Sequence, residues 1–263
     1  MKPDYKNWVP KGMVAGVTAG AAVVAIALII VACTGLFAGV AKLVISIVLA
    51  VALVILLVYT FYCFAWYNAF SYNGRRQMSR EIIEGVAGYV DLPDGGTGLD
   101  IGCGSGALTI AVAKRNPHAK MVGLDRWGKE YASFNKPLCE NNAKLEGVSA
   151  NTEFVRGDAT ALQYPDETFD AITSNYCMHN IPSTDRQKIL LEDLRVLKKG
   201  GTFAIHDIFS RQKYGDMEAF VKKLKDMGYE RVELVDTTKG LFMSEKEAKF
   251  LALGGSALLT GKK

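Results

Sequence analysis

The protein has 263 residues, of which 49% are hydrophobic and 22% are charged, and its formal net charge at pH 7 is +4. A chain of this length can bury the core of one sizeable domain and carry an appendage. Up to residue 80 the chain holds seven Lys and Arg residues against one Asp, so the larger remainder is slightly acidic. Proteins that bind nucleic acids concentrate basic residues on the working domain, so this distribution argues against a nucleic-acid partner.

Two long runs without charge occupy the front of the chain. They extend over Met13–Val31 and Leu43–Asn68, and Lys42 is the only charged residue between them. A helix needs about 20 apolar residues to span a membrane, and both runs are long enough. The small residues of Cys33–Gly39 are typical of a tight turn. The sequence therefore predicts a transmembrane helical hairpin.

The residues that flank the hairpin predict its orientation. Basic residues precede the first span and follow the second, and they are Lys2, Lys6, Lys11, Arg75, Arg76 and Arg80. By the positive-inside rule, both termini and the domain after the hairpin lie in the cytoplasm, on the bacterial inner membrane. Aromatic residues at both ends resemble interfacial belts: Trp8, Tyr59, Phe61, Tyr62, Phe64, Trp66, Tyr67 and Tyr72. An alternative is a cleaved signal peptide, because Ile30–Cys33 resembles a lipoprotein cleavage site.

The composition becomes that of a soluble domain after Gly74. We therefore predict a two-helix anchor over residues 1–74 and a working domain over residues 75–263. In the second part, strands alternate with helices, which predicts a mostly parallel sheet covered on both faces. The predicted strands are Gly98–Ile101, Met121–Asp125, Glu153–Arg156, Phe169–Ser174, Thr202–His206, Arg231–Asp236 and Ser256–Thr260. The predicted helices are Ser79–Val90, Leu108–Arg115, Pro137–Glu146, Asp185–Leu197, Asp216–Met227 and Ser244–Leu251.

Cysteine usage argues against two kinds of site. The five cysteines, at positions 33, 63, 103, 139 and 177, include no C-x-x-C pair. Their odd number and their scatter argue against a disulfide framework and a zinc site, and they suit a reducing compartment. We predict that all five are packing residues and that the protein binds no metal.

The stretch Leu99–Ala107 is the strongest signal of a ligand site. It carries Asp100 and then three glycines on alternate positions, Gly102, Gly104 and Gly106, at a strand-to-helix junction. Glycines there let the backbone turn sharply and bring its amides close to a nucleotide. Two more carboxylates follow predicted strands, namely Asp125, 19 residues beyond Gly106, and Asp158. Asp125 has the separation at which a carboxylate accepts hydrogen bonds from ribose hydroxyls.

Taken together, these motifs resemble those of class I S-adenosylmethionine-dependent methyltransferases. The set consists of Asp100–Gly106, Asp125, Asp158, Phe169–Asp170, Ser174–Asn175 and Leu197–Gly201. The resemblance implies a Rossmann-like α/β fold with a seven-stranded sheet whose last strand is antiparallel. It covers roughly residues 81–263, and parts of it are similar to the quinone-methylating group.

The resemblance also implies roles for individual residues in binding S-adenosyl-L-methionine. Gly102, Gly104 and Gly106 would pack on the methionine and ribose portion, with Asp125 on the ribose hydroxyls. Arg126 or Trp127 would flank the adenine, and Asp158 with Ala159 would read its edge. Asn175 and Tyr176 would face the sulfonium and the acceptor.

An acceptor that must lose a proton also needs a base. The candidates are His179, His206 and Asp207, whereas His118 follows Asn116–Pro117 in a distal turn and is predicted to be a solvated residue. His179 follows the fourth strand, where the loop should border the acceptor, so we predict that it is catalytic together with Tyr176. Its alternative role is to cap the helix near Asp185. His206, at the end of the fifth strand, fits a core histidine better than a base.

The sequence leaves three functions to distinguish. The preferred one is a membrane-anchored methyltransferase for a small, lipophilic acceptor such as a quinone, isoprenoid, lipid, thiol or phenol. An NAD(P)-dependent oxidoreductase is an alternative, because Gly102, Gly104 and Ala107 satisfy a loose G-x-G-x-x-A pattern. The third is a non-catalytic nucleotide-binding membrane scaffold. The oligomeric state stays open, although Gly12, Gly16, Gly20 and Ala21 would permit close packing of the first span.

Overall fold

The computed structural model describes residues 2–128 and 133–263. The chain divides into two compact units, of which one is Asn7–Ser79 and the other joins the residues up to Lys6 to Arg80–Lys263. The boundaries of these units, after Lys6 and after Ser79, are not at residue 74. The division into an anchor over residues 1–74 and a working domain over residues 75–263 stays a prediction.

The first unit is a helical hairpin. Its helices are α1, Lys11–Cys33, and α2, Gly39–Ala69. Both are long and apolar enough to cross a membrane, with mean hydropathies of 2.6 and 3.0, and none of the most apolar stretch of α2 is buried. Lys42 closes the turn, because its Nζ donates to the carbonyls of Ala32 and Thr34 at 2.8 and 3.2 Å. A cation there satisfies acceptors that the end of α1 leaves unpaired.

The second unit contains a seven-stranded sheet in the order β3-β2-β1-β4-β5-β7-β6. Its strands are β1 Thr97–Ile101, β2 Lys120–Asp125, β3 Thr152–Arg156, β4 Phe169–Asn175, β5 Leu197–Ile208, β6 Arg231–Asp236 and β7 Ser256–Lys262. Neighbouring strands are parallel except that β7 runs antiparallel to both β5 and β6. The predicted Rossmann-like sheet with an antiparallel last strand is therefore confirmed.

One helix precedes the strands of this sheet, and the others connect them. They are α3 Met78–Ala87, α4 Ala107–Arg115, α5 Lys136–Leu145, α6 Arg186–Arg195, α7 Arg211–Tyr214, α8 Met217–Asp226 and α9 Glu245–Phe250. The side chains of Asp185, Asp216 and Ser244 cap the amino ends of α6, α8 and α9. Because Asp185 itself accepts from the Lys188 amide, α6 already has a cap, and the capping role considered for His179 is not needed.

Two elements differ from the sequence prediction. Strand β5 begins at Leu197 and not near Thr202, because its first residues pair with β4 before a register shift that Gly200 accommodates at φ +78°. The short helix α7 was not predicted. Its four residues, Arg211–Tyr214, carry no apolar period from which a helix could be recognised.

The topology excludes the fold of the alternative oxidoreductase. A dinucleotide-binding sheet of the Rossmann type adds a parallel sixth strand beside the fifth. Here β7 lies between β5 and β6 and is antiparallel to both.

The core around β1, β4 and β5 is closed by buried side chains such as Leu99, Ile172 and Phe203.

The residues up to Lys6 belong to the second unit. Asn142 on α5 pairs with the backbone of Asp4 on both sides, since its Oδ1 accepts from the Asp4 amide at 2.8 Å and its Nδ2 donates to the Asp4 carbonyl at 2.9 Å. The same Nδ2 donates to the Ser105 carbonyl at 3.1 Å, and the Tyr5 hydroxyl donates to Glu146 at 3.1 Å. The residues before the hairpin are therefore fixed to the domain that follows it.

Candidate active site

The glycine loop between β1 and α4 lies at the carboxyl edge of the sheet. Gly102 has φ +76°, and the Cys177 side chain occupies the space that a Cβ at this position would fill. The amides of Gly102 and Cys103 both donate to the carbonyl of Leu124 on β2, at 2.8 and 3.1 Å. This close approach requires glycine, because any side chain would meet Cys177 in a backbone conformation that L-residues rarely adopt.

Asp125 and the glycine loop are brought together by backbone amides. The Asp125 carboxylate accepts from the Gly104 amide at 2.8 Å and from the Trp127 amide at 2.7 Å. The Trp127 indole donates to the Gly104 carbonyl at 3.0 Å. Among the described residues, a Cβ built at Gly104 would meet only the Phe134 ring, at 3.8 Å. Three of the predicted cofactor residues, Gly104, Asp125 and Trp127, are therefore joined by hydrogen bonds.

Asp100 lies inside the sheet. It is 1% exposed, and its two oxygens accept from the hydroxyls of Thr109 at 2.6 Å and Thr173 at 3.1 Å. Burial raises the pKa of Asp100 to about 6, although both hydroxyl donors oppose the shift. The structure thus gives Asp100 an interior role beneath the glycine loop, and its predicted contact with a cofactor stays a prediction.

Asp158 follows β3 and organises its own turn. Its Oδ1 accepts from the Thr160 amide and hydroxyl, both at 2.8 Å. The Thr160 hydrogen bonds lower the pKa of Asp158, and the charge of Arg126 contributes in the same direction. Arg126 is exposed and Ala159 is buried. Asp158 is therefore ionised at the carboxyl edge, and the adenine contacts predicted for these residues stay predictions.

His179 and Asp207 form a pair across the ends of β4 and β5. The His179 Nδ1 lies 2.5 Å from the Asp207 Oδ1, and the His179 amide donates to the Asp207 Oδ2 at 3.1 Å. The Asp207 carboxylate also accepts from the Ile208 amide at 2.6 Å and from the Tyr214 hydroxyl at 3.0 Å. Burial and the charge of Asp207 raise the pKa of Tyr214, so its hydroxyl stays a donor.

This arrangement fixes the tautomer of His179. An ionised carboxylate can only accept, so the Nδ1 must carry the hydrogen that lies between His179 and Asp207. The Nε2 then keeps its lone pair and can accept a proton. A histidine oriented by a buried carboxylate in this way has the chemistry of a general base.

Two cations hold the loop that carries His179. Arg186, the first residue of α6, donates to the carbonyls of Ile181 at 2.8 Å, Ser183 at 3.1 Å and Met178 at 3.3 Å. The Lys213 ammonium donates to the His179 carbonyl at 3.3 Å. The loop from Met178 to Ser183 is thereby fixed on both sides of the histidine.

The other candidates near the acceptor side form a separate network. His206 is buried, its Nδ1 pairs with the Asn175 Oδ1 at 2.8 Å and its Nε2 with the Thr237 hydroxyl at 2.9 Å. Burial lowers the pKa of His206 to about 3, so it is a neutral core residue. The Tyr176 hydroxyl pairs with Ser256 at 2.8 Å, and burial raises its pKa. Tyr176 and Asn175 are thus occupied by protein partners, and their predicted contacts with cofactor and acceptor stay predictions.

Residues 99–205 match a protein-family model described as "Methyltransferase domain". These residues include the glycine loop, Asp125, Asp158 and His179, and they lie in a sheet with the strand order described above. Residues 99–205 form a class I methyltransferase domain. The prediction of a methyltransferase domain of the S-adenosyl-L-methionine-dependent class is confirmed for these residues.

Curated relatives of the methyltransferase domain are named as methyltransferases for different substrates. A demethylmenaquinone methyltransferase of Lactobacillus johnsonii is 34% identical over 41% of this chain and 41% of its own length. A 27-O-demethylrifamycin SV methyltransferase of Amycolatopsis mediterranei is 28% identical over 58% of this chain and 53% of its own. A ubiquinone/menaquinone biosynthesis C-methyltransferase of Hydrogenovibrio crunogenus is 34% identical over 51% of this chain and 49% of its own. The chain spans about half the length of the curated relatives it matches.

Solved structures share the fold of the methyltransferase domain at low identity. The [4+2]-cyclase SpnF superposes with a TM-score of 0.55 at 21% identity, covering 73% of this chain and 85% of its own. A geranyl diphosphate methyltransferase in complex with GPP and sinefungin superposes with a TM-score of 0.54 at 15% identity, covering 74% and 81%. These likenesses show the fold alone, since one of the two proteins is a cyclase.

Several residues of the candidate site were not predicted from the sequence. They are Thr109 and Thr173, which hold Asp100, and Arg186, Lys213 and Tyr214, which hold the loop and the Asp207 carboxylate. Tyr214 lies seven residues beyond Asp207, in a segment without a periodic signal. Among the residues that the structure describes, no cluster of His, Cys, Asp and Glu is placed to hold a metal ion.

Proposed function

We propose that the protein is a membrane-anchored methyltransferase that acts on a small, lipophilic acceptor with an ionisable hydroxyl group, such as a reduced quinone. The observation that carries the proposal is the His179–Asp207 pair at the carboxyl edge of a methyltransferase sheet. A scaffold protein would have no need for a buried carboxylate that orients a histidine in this loop.

The glycine loop and Asp125 fit the predicted cofactor. Of the residues that the structure describes, none crowds the backbone of Gly104, and the Asp125 carboxylate is held at the end of β2 by two amides. In the proposal, Gly102, Gly104 and Gly106 accommodate the methionine portion, and Asp125 accepts from the ribose hydroxyls. When bound, S-adenosyl-L-methionine supplies an electrophilic methyl group.

His179 would act on the acceptor. Its Nε2 removes the proton of the acceptor hydroxyl, and Asp207 stabilises the imidazolium that results. The electron pair left on the acceptor would then form the new bond to the methyl carbon while the bond from that carbon to sulfur breaks, and S-adenosyl-L-homocysteine would leave. The attacking atom would be oxygen in O-methylation or a ring carbon in C-methylation of a hydroquinone, where the ring carbon then loses its own proton and the oxygen regains one. Hydrogen bonds from Tyr214 and from the amides of His179 and Ile208 hold this carboxylate in place.

The acceptor class is supported by two observations. Relatives named for demethylmenaquinone, 2-phytyl-1,4-naphthoquinone and ubiquinone/menaquinone methylation are 34% identical over 111 to 135 residues. The chain itself carries two helices that are long and apolar enough to cross a membrane. An enzyme tethered to a bilayer meets lipophilic acceptors at their highest concentration.

The proposed anchor crosses the membrane twice, with both ends in the cytoplasm. The hydrogen bonds between Asp4 and Asn142 join the residue stretches that precede and follow the hairpin. Such bonds cannot form across a bilayer, so both stretches lie on one side of it. The basic residues Lys2, Lys6, Lys11, Arg75, Arg76 and Arg80 favour the cytoplasmic face.

A methyl-transfer assay tests the proposal. Purified protein is incubated with native membranes and methyl-labelled S-adenosyl-L-methionine. The label is then counted in the organic phase, the aqueous phase and precipitated protein. We expect label in the organic phase. The variant His179→Ala should lower turnover by a factor of about 10² to 10⁴, with the cofactor Kd unchanged, because a general base contributes that much.

The matched control is His118→Ala. His118 lies in the turn before β2, at the opposite edge of the sheet, and its loss should leave turnover unchanged. Label confined to protein would overturn the small-molecule acceptor. A protein that does not bind S-adenosyl-L-methionine would be a scaffold, and equal turnover in the His179 variant would remove that residue from the mechanism.

A further inference from the structure

The connection between β6 and β7 lies beside the acceptor side of the candidate site. Because β6 and β5 are both antiparallel to β7, β6 ends at the same edge as β4 and β5. The connection is fixed to that edge by the Tyr176–Ser256 hydrogen bond of 2.8 Å and by the Phe242 ring, whose centroid lies 5.4 Å from that of His206. Any surface that it presents therefore borders the entrance for an acceptor.

The part of this connection from Lys239 to Phe250, called the lip here, exposes an unusual mixture of side chains. Leu241 is 44% exposed and Phe250 is 39% exposed. Among the described residues of Arg80–Lys263, the other exposed large apolar side chain is Met227, at the amino edge of the sheet. The exposed charges of the lip are three lysines and one glutamate: Lys239, Lys246, Lys249 and Glu245.

The lip is an ordered surface. Leu241 precedes Phe242 and Met243, which are buried, and the amides of Gly240 and Phe242 bond the carbonyls of Met243 and Thr237 at 2.9 and 3.2 Å. Helix α9 begins with a capping box formed by Ser244 and Glu247. Leu241 is thus held outward by a fixed turn, and its exposure is a property of the fold.

We propose that the lip is a contact surface for anionic phospholipid. Leu241 and Phe250 enter the boundary between head groups and acyl chains, and the ammonium groups of Lys246 and Lys249 pair with lipid phosphates. Lys239 lies 3.3 Å from Asp236, and Glu247 is held in the capping box, which leaves Lys246 and Lys249 against the one exposed acid of α9, Glu245. The two lysines of α9 therefore carry the charge complementarity. Apolar groups beside lysines suit a bilayer surface, and a bilayer is the partner to which the apolar hairpin of the same chain would attach it.

The inference rests on the proposed membrane anchor and not on methyl transfer. Its consequence for the proposed function is that the lip admits acceptor from the bilayer to the carboxyl edge. A water-soluble acceptor would gain nothing from this contact, whereas a lipophilic one would pass from the lipid to the site without crossing water.

An environment-sensitive fluorophore tests the contact in the full chain. The variants Leu241→Cys and, as a matched control, Met227→Cys are made with Cys33→Ser and labelled with an NBD iodoacetamide. Each is reconstituted into nanodiscs of phosphatidylcholine alone or with phosphatidylglycerol. We expect NBD at position 241 to brighten about twofold in the anionic discs. NBD at position 227 should not respond, because Met227 lies at the other edge.

Charge reversal completes the test. Lys246→Glu with Lys249→Glu should abolish the brightening at position 241, while both labelled proteins still co-elute with the discs. Equal responses at positions 241 and 227, no response at 241, or failure to co-elute with the discs would each overturn the proposal. Brightening in detergent that depends on protein concentration would also overturn it, by identifying a second copy as the occupant.

Methyl transfer measured on the unlabelled protein in the same discs separates the two proposals. Brightening at position 241 without any transfer to an organic-phase acceptor supports the lip and contradicts the proposed function. Transfer without brightening does the reverse.

Discussion

Asp100 carries a carboxyl group in the interior of the sheet, and ionisation of this group destabilises the folded state. Its pKa is about 6 in the folded protein and 3.8 for a free side chain, so the folded state binds the proton more tightly. The unfavourable contribution of its ionisation therefore grows as the pH rises from 4 to 6, and it is constant above that range.

The substitution Asp100→Asn removes this titration. Relative to the variant, the free energy of unfolding of the wild type should fall by about 2 kcal/mol between pH 4 and pH 7. Urea unfolding in detergent, followed by circular dichroism at both pH values, measures the difference. As a control of opposite sign, the pKa of Asp170 is lowered through Lys198, and Asp170→Asn should matter more at pH 7 than at pH 4. Parallel pH profiles for wild type and Asp100→Asn would contradict the prediction.

A comparison of substitutions at Gly102 and Gly95 separates the effect of backbone strain from the effect of a steric clash. Both have positive φ, at +76° and +74°, but only Gly102 has Cys177 in the place of its missing Cβ. We expect Gly95→Ala to destabilise the fold by about 1 kcal/mol and to leave cofactor binding unchanged. Gly102→Ala should destabilise it further and weaken S-adenosyl-L-methionine binding about tenfold or more, because the loop must shift. Calorimetric titration measures the Kd, and equal Kd values for both variants would contradict the assignment of the loop.

Residues that act within a few positions of each other were predictable, and residues that meet across the fold were not. Asp100, the three glycines, Asp125 and Asp158 follow strands whose apolar pattern is local, so the sequence predicted both the strands and the shared edge. Asp207 was one of three candidate bases, but its pairing with His179, 28 residues away, depends on the parallel register of β4 and β5. Nothing in the sequence distinguishes Tyr214 from other tyrosines until α7 brings its hydroxyl to Asp207.

At the scale of elements, the loop after β4 depends on one side chain of the following helix. Arg186 donates to carbonyls at both ends of the loop and to the Lys213 carbonyl at 3.4 Å. A guanidinium is suited to this role because it presents five donors in a rigid plane. The loop that carries the candidate base is therefore fixed by α6 more than by its own sequence.

We predict that Arg186→Met raises the acceptor KM about tenfold and speeds amide exchange in residues 178–183, because charge-assisted bonds to the loop carbonyls are lost. The cofactor Kd should not change. Hydrogen exchange and steady-state kinetics measure the two effects. Arg195 is the matched control, since it bonds the carbonyls of Leu162 and Tyr164 at the amino edge, and Arg195→Met should leave the loop and KM unchanged. An unchanged exchange rate in the Arg186 variant would show that the loop is held by other contacts.

At the scale of the whole molecule, the two-span topology predicts where Cys33 lies. Cys33 is exposed at the end of α1, in the turn that would face away from the cytoplasm. A membrane-impermeant maleimide added to intact spheroplasts should therefore label the wild type and not Cys33→Ser. Cys177, which is half-buried, should react only after the membrane is opened, and the buried Cys63, Cys103 and Cys139 only after unfolding. Labelling of the Cys33→Ser variant in intact spheroplasts would contradict the proposed orientation.

Residues up to Lys6 and Arg80–Lys263 form one compact unit, so the hairpin is an internal insertion and not an extension added to its front. Deletion of everything before Arg80 would also remove Asp4. The Asn142 side chain would lose its two hydrogen bonds to Asp4 and keep the one to Ser105 beside the glycine loop. A water-soluble form for crystallisation is better made by excising residues 7–79 and joining the flanks with a flexible Gly/Ser linker. Excision of residues 7–79 keeps Asp4 and Tyr5 bound to α5, whereas truncation before Arg80 removes them.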